Sequence, residues 1–276
     1  MKIAIVQHKI APTHEEAVSR GLAALSEAAS AGAKLVVYPE LSFTPFYPQY
    51  PAPQDTLDLA EPLDGATVSA FRKAAADHEI VTVINLFERD GDQAFNTSPI
   101  IDADGSLLGI TRMIHITDYP LFFERGYYRP GDRLAPVFDT AVGRIGVAIC
   151  YDRHYPEYMR SLALQGADLV LIPQAGVSGE WPDGMYEDEI QVTSFHHGFY
   201  CALANRSGRE DKLSFCGGSF VTDPHGRIIA QAPQHEETIL YAEIDSSQCA
   251  DSPARKLFLR DRRPDIYEKG AIRIPD

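Results

Sequence analysis

Short apolar segments alternate with longer helix-like segments along most of this chain, and this alternation restricts the fold more than any other feature. Segments 3–6, 35–38 and 80–87 have the length and apolar content of buried strands. Segments 15–31 and 68–77, which lie between them, have helical composition. This β-α-β-α-β order predicts an α/β fold with helices packed on the faces of a sheet.

Turn signals interrupt the alternation further along the chain. Segment 96–113 consists of two apolar runs on either side of an Asp-Gly pair at 104–105. Segment 218–230 has the same form around the turn 223–226. Strands joined by such tight turns pair antiparallel, whereas strands joined through a helix pair parallel. The sequence therefore predicts mixed sheets rather than purely parallel ones.

The length of 276 residues is sufficient for one domain with a well-buried core. We find no low-complexity segment and no linker, so residues 1–250 are expected to form a single domain. Residues 251–276 are polar and rich in Arg and Pro. This tail is expected either to pack on its own domain or on a partner subunit, or to fray as many termini do.

The formal net charge of −14 excludes several classes of partner. So acidic a surface repels nucleic-acid phosphates and anionic membrane surfaces. No window reaches 18 uninterrupted apolar residues, and the apolar N-terminus is too short for a signal peptide. The four cysteines are widely spaced without a CxxC pair, which indicates neither a disulfide framework nor a metal site and favours a cytoplasmic location.

Reactive or amide-bearing residues terminate four of the apolar runs. These residues are Glu40, Cys150, Gln174 and Asn205. In open α/β folds, ligands bind beyond the carboxyl ends of the strands. If the four strands are neighbours, their terminal residues are expected to share a pocket.

Cys150 has the most suggestive surroundings of the four. A polar turn and then a helix follow it, and a helix N-terminus favours the nucleophilic thiolate. The backbone N–H of Tyr151 would then donate to a developing oxyanion. A buried structural cysteine is the alternative, and the residues alone leave the two interpretations open. For Cys201, inside an apolar run, the structural interpretation is favoured.

Glu40 precedes an aromatic cluster formed by Phe43, Phe46, Tyr47 and Tyr50. A carboxyl group in such surroundings loses solvent, so its pKa rises toward the range that a general base needs near neutral pH. A solvated loop glutamate is the alternative.

Three segments together resemble one known family. They are 38–41 (YPEL), 123–132 (FERGYYRPGD) and 146–157 (GVAICYDRHYPE). They are similar to motifs of the nitrilase superfamily of carbon–nitrogen hydrolases, and the similarity extends over about residues 1–245. The resemblance implies that Glu40 is the general base, that Cys150 is the nucleophile, and that Glu124 positions the substrate and assists proton transfer.

The same resemblance implies a fold and a reaction. The family fold is a four-layer α-β-β-α sandwich that dimerises through two helices, so a homodimer or higher homo-oligomer is expected. The implied reaction hydrolyses a linear amide or N-carbamoyl small molecule through a thioester, and neither a metal nor another cofactor is expected. A non-catalytic binding protein and an acyltransferase that uses the same thioester are the alternatives.

One position departs from the family pattern. The family's catalytic lysine precedes a histidine, but segment 111–115 reads TRMIH and places Met113 there. No lysine lies between residues 74 and 211. Another cation, such as His115, Arg112 or Arg153, could replace the lysine, or the substrate could supply a positive charge. The third possibility is an inactive relative, and we favour an active enzyme.

Substrate-binding residues are expected around the nucleophile and the base. Arg153 could bind a substrate carboxylate with two hydrogen bonds, which makes N-carbamoyl amino acids and other acidic amides the first choice. A surface salt bridge is the alternative for this arginine. Further expected contacts come from Phe46 and Tyr47 at a partly apolar pocket mouth, and from His154 and Gln174.

Overall fold

The computed structural model describes residues 1–267, which form strands and helices in close alternation. The strands are β1 (Lys2–Gln7), β2 (Leu35–Val37), β3 (Val81–Val83), β4 (Leu86–Asp90), β5 (Gln93–Ile101), β6 (Leu107–Arg112), β7 (Asp118–Tyr119), β8 (Phe122–Phe123), β9 (Phe138–Thr140), β10 (Gly143–Val147), β11 (Leu169–Gln174), β12 (Tyr200–Asn205), β13 (Ser207–Glu210), β14 (Leu213–Cys216), β15 (Phe220–Thr222), β16 (Ile228–Gln231) and β17 (Thr238–Glu243). The α-helices are α1 (His14–Ser30), α2 (Ala66–His78), α3 (Pro156–Leu164), α4 (Met185–His197), α5 (Ser247–Asp251) and α6 (Pro264–Tyr267).

Two mixed sheets organise these elements. The first sheet has the order β17-β1-β2-β3-β5-β4, with β6 paired to β5. The second has the order β16-β15-β12-β11-β10-β9. Strands β1, β2 and β3 are parallel to one another, as are β10, β11 and β12, while the outer strands pair antiparallel. The predicted mixed sheets are therefore confirmed.

The two sheets pack face to face around a common apolar core. Ile5 and Val83 of the first sheet and Val147 and Leu171 of the second are fully buried in this one cluster. A second cluster joins the outer face of the first sheet to α1 and α2, and a third joins the outer face of the second sheet to α3 and α4. The order of layers is therefore α-β-β-α, and the predicted sandwich is confirmed.

Helix α1 fixes the path of the chain after β2, where the candidate site begins. Its N-terminus is capped by the Thr13 side chain, which accepts from the Glu16 N–H. Gly21 permits a close approach, since a Cβ there would lie 2.6 Å from the Phe43 ring. The Tyr38 hydroxyl donates to the Gly21 carbonyl at 2.7 Å. These contacts hold the segment that carries Glu40 against the helix.

Two predicted strands differ from the structure in a way that matters for the site. The predicted strand 80–87 is divided into β3 and β4, because the buried Asn85 side chain accepts from the Leu41 N–H and donates to Asn96. The apolar run that ends in Cys150 forms a strand only as far as Val147. Cys150 then begins a 3₁₀ turn. The break between β3 and β4 is thus set by the buried polar contacts of Asn85. The end of β10 is set by the turn at Cys150.

Part of the tail beyond residue 250 packs on its own domain. Ala254 is fully buried, and Arg255 donates to the Ala167 carbonyl at 2.6 Å and pairs with Asp168 at 2.9 Å. A frayed tail is therefore wrong for this stretch. Residues 268–276 lie outside the described residues, and packing of the tail on a partner subunit stays a prediction. None of the helices within residues 1–267 has the length and apolar character needed to span a membrane.

Candidate active site

The three residues expected to carry the chemistry come together between the sheets. Glu40 follows β2, Cys150 follows β10, and Glu124 opens a short 3₁₀ turn after β8. Their exposed fractions are only 0%, 7% and 1%, respectively. Each carboxyl influences the ionisation of the thiol. The ends of two facing sheets thus enclose one thiol and two carboxyl groups in a site with little access to solvent.

The backbone of Cys150 adopts a conformation that is unusual for a residue with a side chain. Its φ angle is +44°, in the left-handed region. A non-glycine residue held there costs roughly 1–3 kcal/mol, and such strain is concentrated at functional sites. Within residues 1–267 the N–H of the next residue, Tyr151, donates to no protein group. Its predicted role as a donor to a developing oxyanion stays a prediction.

The thiol of Cys150 differs from expectation in its ionisation. Burial, together with the Glu40 carboxyl, raises the pKa of Cys150 well above its ordinary value. The Arg153 guanidinium and the Ala175 N–H act in the opposite direction but do not overcome burial. The prediction that a helix N-terminus favours the thiolate is therefore wrong for the resting site. A protonated thiol needs a base when it attacks.

Glu40 has the properties of such a base. Burial raises the pKa of Glu40 to about 7, although the neighbouring Cys150 thiol, the Asn96 amide and the charges of Arg206 and Arg153 act to lower it. The Asn96 amide donates to Oε1 at 2.6 Å. Because the carboxyl is fully buried, the alternative of a solvated loop glutamate is wrong. A carboxyl of this pKa can accept a proton at neutral pH and return it.

Arg206, which the sequence did not single out, fixes the turn that carries Glu40. Its guanidinium donates to the carbonyls of Glu40, Leu41 and Thr44 and pairs with the buried Glu210. The arginine itself is 2% exposed. It follows β12 of the second sheet, so it connects the Glu40 turn of one sheet to the strand end of the other.

Replacing Arg206 with methionine is expected to destabilise the protein by about 3–5 kcal/mol, because Glu210 would remain as a buried, unpaired charge. Urea unfolding at pH 7 measures the loss. Arg209→Met is the matched control, since Arg209 lies three residues away and is exposed, and it should change stability by less than about 0.5 kcal/mol. Equal effects of the two variants would contradict this role for Arg206.

Met113 lies inside the site, at the position where the family resemblance places lysine. Its side chain is fully buried in the same core cluster as Cys150. The Asn96 amide that donates to Glu40 also approaches the Met113 sulfur at 3.5 Å. The uncharged thioether of Met113 therefore lies close to the Glu40 carboxyl, and the Asn96 amide contacts both groups.

Two of the cations proposed to replace the lysine are engaged elsewhere. Arg112 pairs with Glu88 at 2.5 Å and Asp90 at 2.8 Å. His115 bonds to Asp152 at 2.6 Å, and its ring stacks on Tyr155. Strand β6 ends at Arg112, so the alternation that was expected to carry His115 to the face of position 113 does not continue. Neither side chain replaces the lysine in this arrangement.

Arg153 and Gln174 lie next to the turn that carries Cys150. One nitrogen of Arg153 donates to the Cys150 carbonyl at 2.9 Å and to Gln174 at 2.7 Å. A second nitrogen pairs with Glu189 at 3.1 Å. Since the arginine is 3% exposed, the alternative of a surface salt bridge is wrong. Its second terminal nitrogen, Nη2, has no partner among residues 1–267, so contact with a substrate carboxylate stays a prediction.

The other predicted substrate contacts differ in their surroundings. Phe46 is fully buried and packs on Phe122 and Phe215, while Tyr47 packs beside Phe87 and Tyr127 in the same cluster. Phe46 therefore forms part of the core, whereas Tyr47 is only partly buried, and its contact with substrate stays a prediction. His154 pairs with Glu189 at 2.7 Å. It lines a surface cavity of about 650 Å³ that also contains Trp181, Met185 and Val192.

Side chains that sequence reasoning missed complete the site. The Asp152 carboxylate accepts hydrogen bonds from the backbone N–H groups of Ile114 and His115. These bonds connect the segment that follows Met113 to the turn that begins at Cys150. Tyr128 is buried, and burial followed by the charges of Glu40 and Glu124 raises its pKa well above the ordinary value. No local pattern marks these residues, because their partners lie far away in the sequence.

Asn205, the fourth strand-terminal residue, has a structural place. Its side chain accepts from the Gly176 N–H at 2.8 Å and donates to the Gly217 carbonyl at 2.9 Å. The expectation that all four strand-terminal residues share one pocket is therefore correct for Glu40 and Cys150, whereas Gln174 and Asn205 support the surrounding backbone. Among residues 1–267, no group of three or more His, Cys, Asp or Glu side chains is placed to hold a metal ion.

Comparison with known proteins decides the family. A model of the carbon–nitrogen hydrolase family matches residues 2–254. The chain belongs to this family. This carbon–nitrogen hydrolase is 33% identical to the citrullinase of Francisella tularensis, over 98% of this chain and 97% of that protein. It is also 33% identical to the N-carbamoylputrescine amidase of Oryza sativa, over 97% of this chain and 93% of that protein.

A solved structure supports the same assignment for this carbon–nitrogen hydrolase. The crystal structure of a carbon–nitrogen hydrolase from Helicobacter pylori G27 superposes with a TM-score of 0.92 and 29% identity. The match covers 100% of this chain and 99% of that one. The four-layer architecture is therefore that of the nitrilase superfamily.

Proposed function

We propose that this protein hydrolyses linear amide or N-carbamoyl compounds through a thioester on Cys150. The observation that carries the proposal is the pairing of a buried, strained cysteine with a carboxyl group whose pKa lies near 7. A cysteine buried only for packing does not need such a partner. An enclosed thiol with its own base suits nucleophilic attack on a carbonyl carbon.

The proposed reaction uses the thiol, the carboxylate and one backbone donor. Glu40 takes the thiol proton while the sulfur of Cys150 attacks the carbonyl carbon. The Tyr151 N–H donates to the oxygen that becomes negative. Glu40 then gives the proton to the leaving ammonia or amine, and the thioester remains. Water attacks the thioester with Glu40 again as base, which releases the acid and restores the thiol.

Ureido compounds that carry an amine are the proposed substrates. The relatives named citrullinase and N-carbamoylputrescine amidase point to this class. Carboxyl groups dominate the site. The pKa of Tyr119 responds to the charges of Cys150 and Glu124. The Tyr119 hydroxyl donates to a further carboxylate, that of Glu180. Such surroundings disfavour purely anionic substrates, and Arg153 already bonds to the Cys150 carbonyl and pairs with Glu189.

Ammonia release from a substrate panel tests the proposal. Citrulline and N-carbamoylputrescine, which both carry an ammonium group, should be hydrolysed faster than N-carbamoylaspartate, which lacks one. A preference for the acidic compound would overturn the substrate class. Absence of turnover with every amide, ureide and nitrile in the panel would overturn the hydrolase function and favour a binding protein.

Substituting Met113 with lysine is expected to shift the pH dependence of hydrolysis. An ammonium group among buried carboxyls favours their charged forms, so the midpoint of the acidic limb of kcat/KM should fall by about 1 unit or more. Rates measured across pH report the midpoint directly. Met113→Leu, which adds no charge, is the matched control and should keep the wild-type midpoint. Hydrolysis that appears only in Met113→Lys would show that the natural chain is inactive.

A further inference from the structure

Glu124 lies in surroundings that favour its neutral form. The residue is 1% exposed, and the Thr117 N–H donates to its Oε2 at 3.2 Å. Among residues 1–267 its Oε1 receives no hydrogen bond. One weak backbone donor is little support for a buried carboxylate, because a buried charge needs a partner of opposite sign or several hydrogen bonds.

The groups that face Glu124 are acidic on every side. Glu40 approaches from the turn after β2, Asp152 from the nucleophile turn and Asp118 from β7, and each disfavours its ionisation. Cys150 and Tyr128 also respond to its charge. These neighbours belong to four separate segments, so the negative character of the enclosure does not depend on the placement of one loop.

The arginines near the site act on Glu40 rather than on Glu124, since Arg206 and Arg153 lower the pKa of Glu40 but are not among the groups that shift the pKa of Glu124. Arg206 donates to the carbonyl of Glu40, and Arg153 donates to the carbonyl of Cys150. The adjacent Arg125 is exposed and directs its Nε to the Ile116 carbonyl at 3.4 Å. At position 113, where a lysine would lie in the family pattern, there is a buried methionine.

Two buried carboxyl groups without a cation between them cannot both be ionised at neutral pH. Hydrogen bonding and nearby charge decide which one keeps the proton. Glu40 receives the Asn96 amide at 2.6 Å, and the charges of Arg206 and Arg153 favour its ionised form, whereas Glu124 receives one N–H at 3.2 Å. Burial, followed by the charge of Glu40, raises the pKa of Glu124 well above its ordinary value.

We propose that Glu124 is a neutral carboxylic acid in this protein and that its O–H donates to the substrate oxygen, in the place of the missing lysine. The inference rests on the proposed function, since it assigns a second oxyanion donor to the same reaction. The O–H bond of Glu124 stays intact throughout. The oxygen gains a hydrogen bond as it becomes negative and loses that bond when the carbonyl re-forms.

Infrared spectroscopy of the resting enzyme is the first test, because it requires no turnover. Well above pH 7, where Glu40 is ionised, wild type should show the carbonyl stretch of a buried protonated carboxyl. The band should persist in Glu40→Gln and disappear in Glu124→Gln and in Met113→Lys. A wild-type spectrum without the band, or a band that survives in Glu124→Gln, would overturn the proposal even if hydrolysis is observed.

Kinetics provide the second test. Glu124→Gln keeps an N–H donor of similar shape, so its kcat should lie within about tenfold of wild type, whereas Glu124→Ala removes the donor and should lose about 10²–10³-fold. A purely structural carboxylate would predict equal losses in the two variants, and that result would overturn the proposal. A panel without any turnover would instead refute the hydrolase function and leave the infrared result to stand alone.

Discussion

Replacing Cys150 with alanine is expected to lower kcat for the best ureido substrate by about 10⁴–10⁶-fold, the range seen when a catalytic nucleophile is removed. The loss follows from the reaction itself, because no other thiol lies beside Glu40 among residues 1–267. Intact-protein mass spectrometry offers an independent measurement. Wild type quenched during turnover should carry the acyl mass, and Cys150→Ala should not.

Cys216→Ala is the matched control for this experiment. Cys216 is free and partly buried, and its sulfur contacts Asn205 rather than Glu40. This variant should keep the wild-type rate and the acyl adduct. Retention of hydrolysis by Cys150→Ala, or disappearance of the adduct in Cys216→Ala, would refute Cys150 as nucleophile. Equal urea midpoints for wild type and Cys150→Ala would show that the loss is not caused by unfolding.

The strand pattern predicted the mixed α/β sheets and the place of the two central residues, whereas the four-layer sandwich was implied by the family resemblance. Residues at the ends of buried strands are fixed by the register of the sheet, so the positions of Glu40 and Cys150 follow once the strands are known. The strands can be recognised in the sequence because each is buried on both faces within the sandwich and therefore forms a continuous apolar run. Local sequence carries that information without reference to distant partners.

Long side chains and ionisation states were harder to predict. The direction of Arg153 depends on Gln174 and Glu189, which lie on other elements. The rise in the pKa of Cys150 depends on burial between the sheets and on Glu40, 110 positions earlier in the chain. The helix N-terminus next to Cys150 is visible in the sequence, but desolvation outweighs its effect on the thiol. Contacts of this kind are properties of the packed structure.

The aromatic residues after Glu40 illustrate the same limit. Their proximity to an acidic residue suggested a pocket mouth, yet Phe46 turns into a core cluster with Phe122 and Phe215. Its backbone N–H donates to Glu210 at 3.0 Å, which fixes this direction. An aromatic ring next to a polar residue can line a pocket or pack in the core. For Phe46 the direction depends on Glu210, which lies 164 positions away in the sequence.

Substituting Glu40 with glutamine is expected to lower kcat by about 10²–10⁴-fold, the usual contribution of general acid–base catalysis. Glutamine keeps the acceptor for the Asn96 amide but cannot take the thiol proton. The pH dependence should change as well. For wild type, kcat/KM should rise as pH increases through about 7, because Glu40 becomes ionised there. The residual rate of Glu40→Gln should not show this step.

Stability measurements separate this chemical role from a structural one. The pKa of Glu40 in the folded protein, about 7, lies above its ordinary value of 4.5. Its neutral form therefore favours folding below pH 4.5, and that contribution is lost as pH rises through about 7. Glu40→Gln should consequently be more stable than wild type at pH 8, with a difference that shrinks toward pH 4.5. The exposed Glu236→Gln should show neither change. A Glu40→Gln variant that is both inactive and less stable at pH 8 would indicate a structural carboxylate rather than a base. If the buried charge of Glu40 is uncompensated, replacing it with a neutral amide should raise stability at this pH.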